Sequence, residues 1–213
     1  MEEREDDIRV PDVKDRTGDF YETHARDYFE LTRSMSVSID GFVKRIRPGG
    51  RVLDAGCGSG RDTLTLLHNG FRVDAFDGSA SLARLASEYT GIPVRSLRFQ
   101  DFYARPMYDG ILAAASLLHL HPDELPRVVN KLFSALVPGG VLCATFKEGD
   151  GPCTEKDGRF FNKVNVETLK QVFGKFPHIG DLDFEETIGS SSFAQPTKWL
   201  MVYATKKTLP YSL

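Results

Sequence analysis

A hydrophobic strand that runs into glycines at every second position, and then into a helix, leaves a chain few folds to adopt. Residues 51–62 read Arg-Val-Leu-Asp-Ala-Gly-Cys-Gly-Ser-Gly-Arg-Asp. Val52 and Leu53 read as a buried strand, and Gly56, Gly58 and Gly60 take the β-carbons out of the turn. From Arg61 onward Leu64, Leu66 and Leu67 mark an amphipathic helix. A ligand can lie directly on such a backbone, at a helix N-terminus. The dinucleotide fingerprint is Gly-x-Gly-x-x-Gly, but here Arg61 stands where the third glycine would let helix and strand pack closely. Asp54, two residues before the first glycine, is a poor neighbour for a pyrophosphate. It suits a cationic ligand better, and a sulfonium amino acid with an α-ammonium group is one.

Asp54-Ala-Gly-Cys-Gly-Ser-Gly60 resembles the first motif of class I S-adenosylmethionine-dependent methyltransferases. Gly60-Arg-Asp62 and Gly70-Phe-Arg-Val-Asp-Ala-Phe-Asp77 are similar to the tellurite-resistance-type branch of small bacterial methyltransferases. The likeness continues through Ala115-Ser-Leu-Leu-His119, Leu136-Val-Pro-Gly-Gly140, Thr145-Phe-Lys147 and Asp157-Gly-Arg-Phe-Phe161, roughly residues 20 to 206. It implies an α/β, Rossmann-like three-layer sandwich whose seven-stranded, mostly parallel sheet has an antiparallel last strand. It implies S-adenosyl-L-methionine as cofactor, held by Tyr28, Asp54, Gly56, Cys57, Gly58, Arg61, Asp77, Gly78, Ser79, Asp101, Phe102 and Ser116.

Residues 1–16 are dense in charge and are expected to be a mobile tail, with 17–213 a single domain. From Asp19 the residues Phe20, Tyr21, Ala25, Tyr28, Phe29 and Thr32 have helical spacing, and a second helix is expected over Val37–Ile46. In the family these helices, within 17–47, fold over the cofactor, and Tyr28 falls at an aromatic lid position; both tyrosines could equally pack the helix on the sheet. Phe71–Phe76 alternates into a second strand ending at Asp77, whose carboxylate can accept from both ribose hydroxyls. Ser79 is a candidate N-cap for the helix that follows. A third strand within 94–99 leads to Asp101 and Phe102, where the resemblance places the adenine; Phe102 could also be ordinary core.

Residues 108–115 are almost continuously apolar, as in a parallel strand covered on both faces. Ligands sit at the carboxyl ends of such strands, which puts Ser116 and His119 at the mouth of the site. His119 is the candidate base, needed only if the acceptor must lose a proton. A helix over 123–136, a strand over 141–146 and a polar loop within 147–163 follow, the loop carrying Lys147 and Arg159 as possible contacts for an anionic acceptor or as partners of Glu148 and Asp157. A short helix over 166–173 precedes strands over 181–188 and 199–205, joined without a helical crossover and therefore antiparallel.

The 213 residues carry a formal net charge of −3 and a pI near 6.0, which argues against nucleic acid as partner and for a small molecule. Cys57, Cys143 and Cys153 lack metal-ligand spacing, no metal is expected, and a reduced cytoplasmic setting fits their odd number. No apolar run reaches the ~20 residues that span a bilayer, so a soluble monomer or homodimer is expected. The expected activity is methyl transfer to a small acceptor, an anionic one included. A noncatalytic cofactor-binding protein and an RNA methyltransferase stay open, while an NAD-dependent oxidoreductase is disfavoured by Asp54 and the missing third glycine.

Overall fold

The computed structural model of the chain describes residues 13–35, 38–190 and 196–208, so most of the tail expected over 1–16 lies outside the described residues. The strands are β1 (Arg51–Ala55), β2 (Arg72–Asp77), β3 (Val94–Ser96), β4 (Tyr108–Ala113), β5 (Leu136–Lys147), β6 (Gly151–Thr154), β7 (Phe160–Lys163), β8 (Ile179–Ser190) and β9 (Pro196–Lys206). The helices are α1 (Val13–Thr23), α2 (Ala25–Thr32), α3 (Asp40–Val43), α4 (Arg61–His68), α5 (Ala80–Thr90), α6 (Leu125–Ala135) and α7 (Val166–Phe173). Seven strands form one sheet in the order β3-β2-β1-β4-β5-β9-β8. β1 to β5 pair in parallel, and β9 runs antiparallel to both β5 and β8. This is the Rossmann-like, mostly parallel sheet that the sequence implies, with the antiparallel strand one in from the edge.

The register explains why β1 and β4 are so uniformly apolar. Val52 faces a cluster with Phe42, Ile46, Leu66 and Leu112, while Leu53 faces the opposite cluster with Ile111, Val128, Val129 and Leu132. Neighbouring residues thus enter different cores, and both faces of the sheet are dry. The strand order reverses between β1 and β4, leaving a crevice above their carboxyl ends.

Several expected boundaries move. The helix expected from Asp19 through Thr32 begins earlier, at Val13, and is broken at His24, whose ring stacks on Phe20 with centroids 4.6 Å apart. The second helix, expected over 37–46, shrinks to α3; Val37 lies outside the described residues. Pro138-Gly-Gly140, read as a connection, lies inside β5, where the pairing with β4 shifts register between Tyr108 and Gly110. The long polar loop expected after Lys147 contains the antiparallel hairpin β6–β7. Among the described residues no helix is long and apolar enough to cross a membrane.

Candidate functional site

A cavity of about 830 Å³ opens above the carboxyl ends of the parallel strands. Its floor is the glycine turn. Gly56, Gly58 and Gly60 have φ of 76°, 55° and 79°, the left-handed region that side chains disfavour. A β-carbon on Gly56 would stand 2.5 Å from Cβ of Ser116, and one on Gly60 would stand 2.8 Å from Cγ2 of Thr90 on α5. The first glycine lets β1 approach the β4 end; the last lets α4 and α5 close on each other.

Asp77 ends β2 and is buried. Its Oδ2 accepts from the Gly58 N–H at 2.8 Å and its Oδ1 from the Ser79 N–H at 2.9 Å. Burial raises its carboxyl from the ordinary range, and those N–H donors work against the rise. Each oxygen keeps acceptor capacity for a further donor. Ser79 caps α5, its Oγ accepting from the Leu82 N–H at 3.1 Å. Asp54 is buried beneath the turn and accepts from the Thr63 hydroxyl at 2.6 Å. Burial, with Asp62 beside it, raises its carboxyl to about 7. Arg61 lines the cavity but is held by Asp62, with nitrogen–oxygen distances of 2.9 and 2.8 Å. Cys57 lines the same turn, and burial pushes its thiol up, against thiolate chemistry.

Helices α1 and α2 roof this end. Phe29 and Ala25 pack on Leu82 and Leu85 of α5, with Tyr21, Tyr28 and Tyr89 at the margin. Tyr28 stands over Gly58, its Cε1 3.4 Å from where a β-carbon would be. Glu22 latches the roof to the start of α5. Its carboxylate accepts from the Ser79 and Ser81 hydroxyls at 2.6 and 2.5 Å and from the Ser81 N–H at 3.2 Å. These bonds lower its carboxyl. No pattern in the sequence marks Glu22 as a site residue.

His119 lies at the cavity wall with both ring nitrogens engaged. The Phe160 carbonyl, 2.7 Å from Nδ1, can only accept, so Nδ1 carries the proton. Nε2 therefore accepts from the Tyr21 hydroxyl at 2.9 Å. Tyr21 in turn accepts from Arg159 Nη1 at 3.4 Å. Burial, reinforced by the Arg159 and Lys147 charges, lowers His119 to about 4. The imidazole is neutral at pH 7 and its basic lone pair is occupied.

Lys147 and Arg159 come within reach of this network but do not line the cavity. Lys147 Nζ is 2.6 Å from Glu155 Oε1 and 3.5 Å from the Phe161 ring centroid. Arg159 donates to Asp157 Oδ2 from Nε at 3.0 Å and Nη2 at 2.7 Å. Both charges are thus paired with acids of the β6–β7 connection. At the third strand the ring facing the cavity is Phe99. Phe102 is fully buried and stacks on Phe76 with centroids 5.4 Å apart, and Asp101 is not part of the lining. Two aromatics three residues apart, flanking a 3-10 turn, gave the sequence no means of choosing between them. Gly78 and Ser116 line the cavity as expected, Ser116 donating to the Ala55 carbonyl at 2.8 Å.

Asp19, Glu22, Asp54, Asp62, Asp77 and Glu124 line the cavity against Arg61 and Arg98, so it favours a ligand of net positive charge. Beyond Ser116 the cavity continues along the ends of β4, β5, β9 and β8, past Leu112, Ala114, Thr145, Met201, Trp199 and Ile188. Sequence reasoning did not find this second end; the chain's single tryptophan, near the start of a strand, was the available signal. Ala115, at the tip of β4, has φ of 48°, alone among non-glycine described residues in the left-handed region. Its N–H donates to Thr145 Oγ1 at 2.7 Å, which holds the turn.

A family described as tellurite resistance protein TehB matches residues 15–190. A glycine/sarcosine N-methyltransferase of Halorhodospira halochloris is 32% identical over 125 residues, 53% of this chain and 46% of that protein. An uncharacterized methyltransferase of Staphylococcus carnosus is 30% identical over 93 residues, 44% of this chain and 45% of that one. The chain spans about half the length of these curated relatives. Among solved structures, a SAM-dependent methyltransferase from Methanosarcina mazei superposes with a TM-score of 0.72 at 16% identity, covering 82% of this chain and 100% of that one. The likeness is one of fold.

Proposed function

This chain belongs to the tellurite resistance protein TehB family, and from that premise we propose that it is an S-adenosylmethionine-dependent methyltransferase acting on a small molecule. The observation that carries the reading is the acid-lined glycine turn. When bound, S-adenosylmethionine supplies a methyl group already activated on a positively charged sulfur. Its sulfonium and ammonium outweigh its single carboxylate, and the carboxylates around the turn complement that net charge. The bare backbone at Gly56 and Gly58 would admit the ligand, Asp77 has acceptor capacity that the ribose hydroxyls would use, Asp54 would complement the cationic portion, and Phe99 offers an apolar face. A polyanionic RNA would meet the same acids as repulsion.

The chain's part in catalysis is to align donor and acceptor and exclude water. Tyr21, Tyr28 and the Glu22 latch close the cavity from above. His119 acts here as a positioning residue: it holds Tyr21, and through Phe160 the β6–β7 hairpin, against the cavity. A neutral, fully bonded imidazole is a poor general base.

Calorimetric titration with S-adenosylmethionine, S-adenosylhomocysteine and NAD tests the reading. Micromolar binding of the first two alone is expected. Binding of NAD alone would overturn it, and cofactor binding without turnover on any acceptor would favour a noncatalytic binding protein.

A further inference from the structure

We infer that the second end of the cavity takes an uncharged organic acceptor with an apolar body, rather than a small oxyanion. The inference rests on the methyl-transfer reading and names the substrate class of that same site. Leu112, Ala114, Met201, Trp199 and Ile188 make the wall there, supported by Ile39. No described residue lining this end is charged. An oxyanion moved into it would lose its hydration without gaining a cation. Lys147 and Arg159, the cations expected to meet an anionic acceptor, are committed to Glu155 and Asp157 and stand outside the lining. The carboxylates along the rest of the cavity repel an anion further. Ile188 is 78% exposed at the mouth, a large apolar side chain that a bound apolar body would cover.

The few polar groups at this end are uncharged, the Thr145 and Thr187 hydroxyls among them. Thr145 Oγ1 already accepts from the Ala115 N–H, which leaves its own proton to donate to one oxygen or nitrogen of the acceptor. With His119 Nε2 occupied by Tyr21, the acceptor atom has to attack with a lone pair it holds without help, as a neutral amine or heteroaromatic nitrogen does. That lone pair forms the new bond to the methyl carbon while the carbon–sulfonium bond breaks and its electron pair returns to sulfur. Any proton on the acceptor nitrogen then leaves to solvent.

Trp199 is the only tryptophan in the chain and lines this wall, so its fluorescence reports occupancy independently of turnover. The purified protein, with and without saturating S-adenosylhomocysteine, is titrated with 4-nitroaniline, with 4-nitrobenzoate and with sodium tellurite, free tryptophan serving as inner-filter control. We expect saturable quenching by 4-nitroaniline, binding at least tenfold weaker for 4-nitrobenzoate, and no saturable change with tellurite. In Ile188→Asp, a change at an exposed side chain, 4-nitroaniline binding should weaken severalfold while the thermal midpoint stays that of the parent. Equal or tighter binding of the carboxylate, a saturable tellurite response, or no quenching by 4-nitroaniline in either state overturns the inference. Cofactor binding is read separately by calorimetry, so a failure of the methyl-transfer reading and a failure of the acceptor class give different results.

Discussion

His119 shows how the direction of a hydrogen bond decides a residue's role. The sequence could place it at the strand end, but not the Phe160 carbonyl that fixes its tautomer or the Tyr21 hydroxyl that takes its lone pair. Its lowered pKa has a stability consequence: the unfolded chain takes up this proton near pH 6.5 and the folded chain only near pH 4. The contribution is present in full above pH 6.5 and is lost as the pH falls through that window. Urea unfolding at pH 7.0, 5.5 and 4.5 should show a smaller acid loss for His119→Asn than for the parent. The place of Asp77 at the end of β2, by contrast, was legible from its register behind the glycines. Asp77→Asn should weaken S-adenosylmethionine binding by ~1–3 kcal/mol; unchanged affinity by calorimetry would remove it from the ribose role. Gly60→Ala should cost about 1–3 kcal/mol of stability from left-handed backbone alone, with the contact to Thr90 adding to it. Thermal unfolding checks this.

At the scale of elements, α4, α5 and the parallel strands were readable because hydrophobic period and glycine punctuation agreed. The misjudged pieces were those set by contacts distant in sequence. The break between α1 and α2 depends on His24 stacking on Phe20, and β6–β7 is held over the site by the Phe160 N–H donating to Thr17 Oγ1 at 2.9 Å. At its α5 side the roof is fastened by Glu22 on Ser79 and Ser81. Glu22→Ala should leave the fold intact, since Phe29 and Ala25 still pack on α5. It should increase hydrogen exchange across residues 20–32 and raise the cofactor Kd severalfold. Unaltered exchange would mean that apolar packing alone holds the roof.

For the molecule as a whole, the net charge of −3 understates how acid is distributed, because carboxylates gather around the glycine turn. Asp54 holds its proton up to about 7, so its contribution to folding is present at acid pH and lost as the pH rises toward neutrality. A cation bound beside it favours the ionised form. S-Adenosylmethionine binding near pH 7 should therefore release part of a proton, seen as different apparent enthalpies in phosphate and Tris, and Asp54→Asn should abolish the difference. The strand order carries a consequence for how the molecule assembles. β8 is synthesised before β9 yet lies outside it, with β9 as its neighbour in the sheet. It has no sheet edge to join until its successor is made, so the two dock as a hairpin onto β5. The crevice floor over residues 54–116 can form from earlier chain, whereas the wall bearing Trp199 and Met201 arrives with that docking. In a refolding experiment, tryptophan fluorescence should lag behind the burial of β1 and β4, timing the last step of assembly.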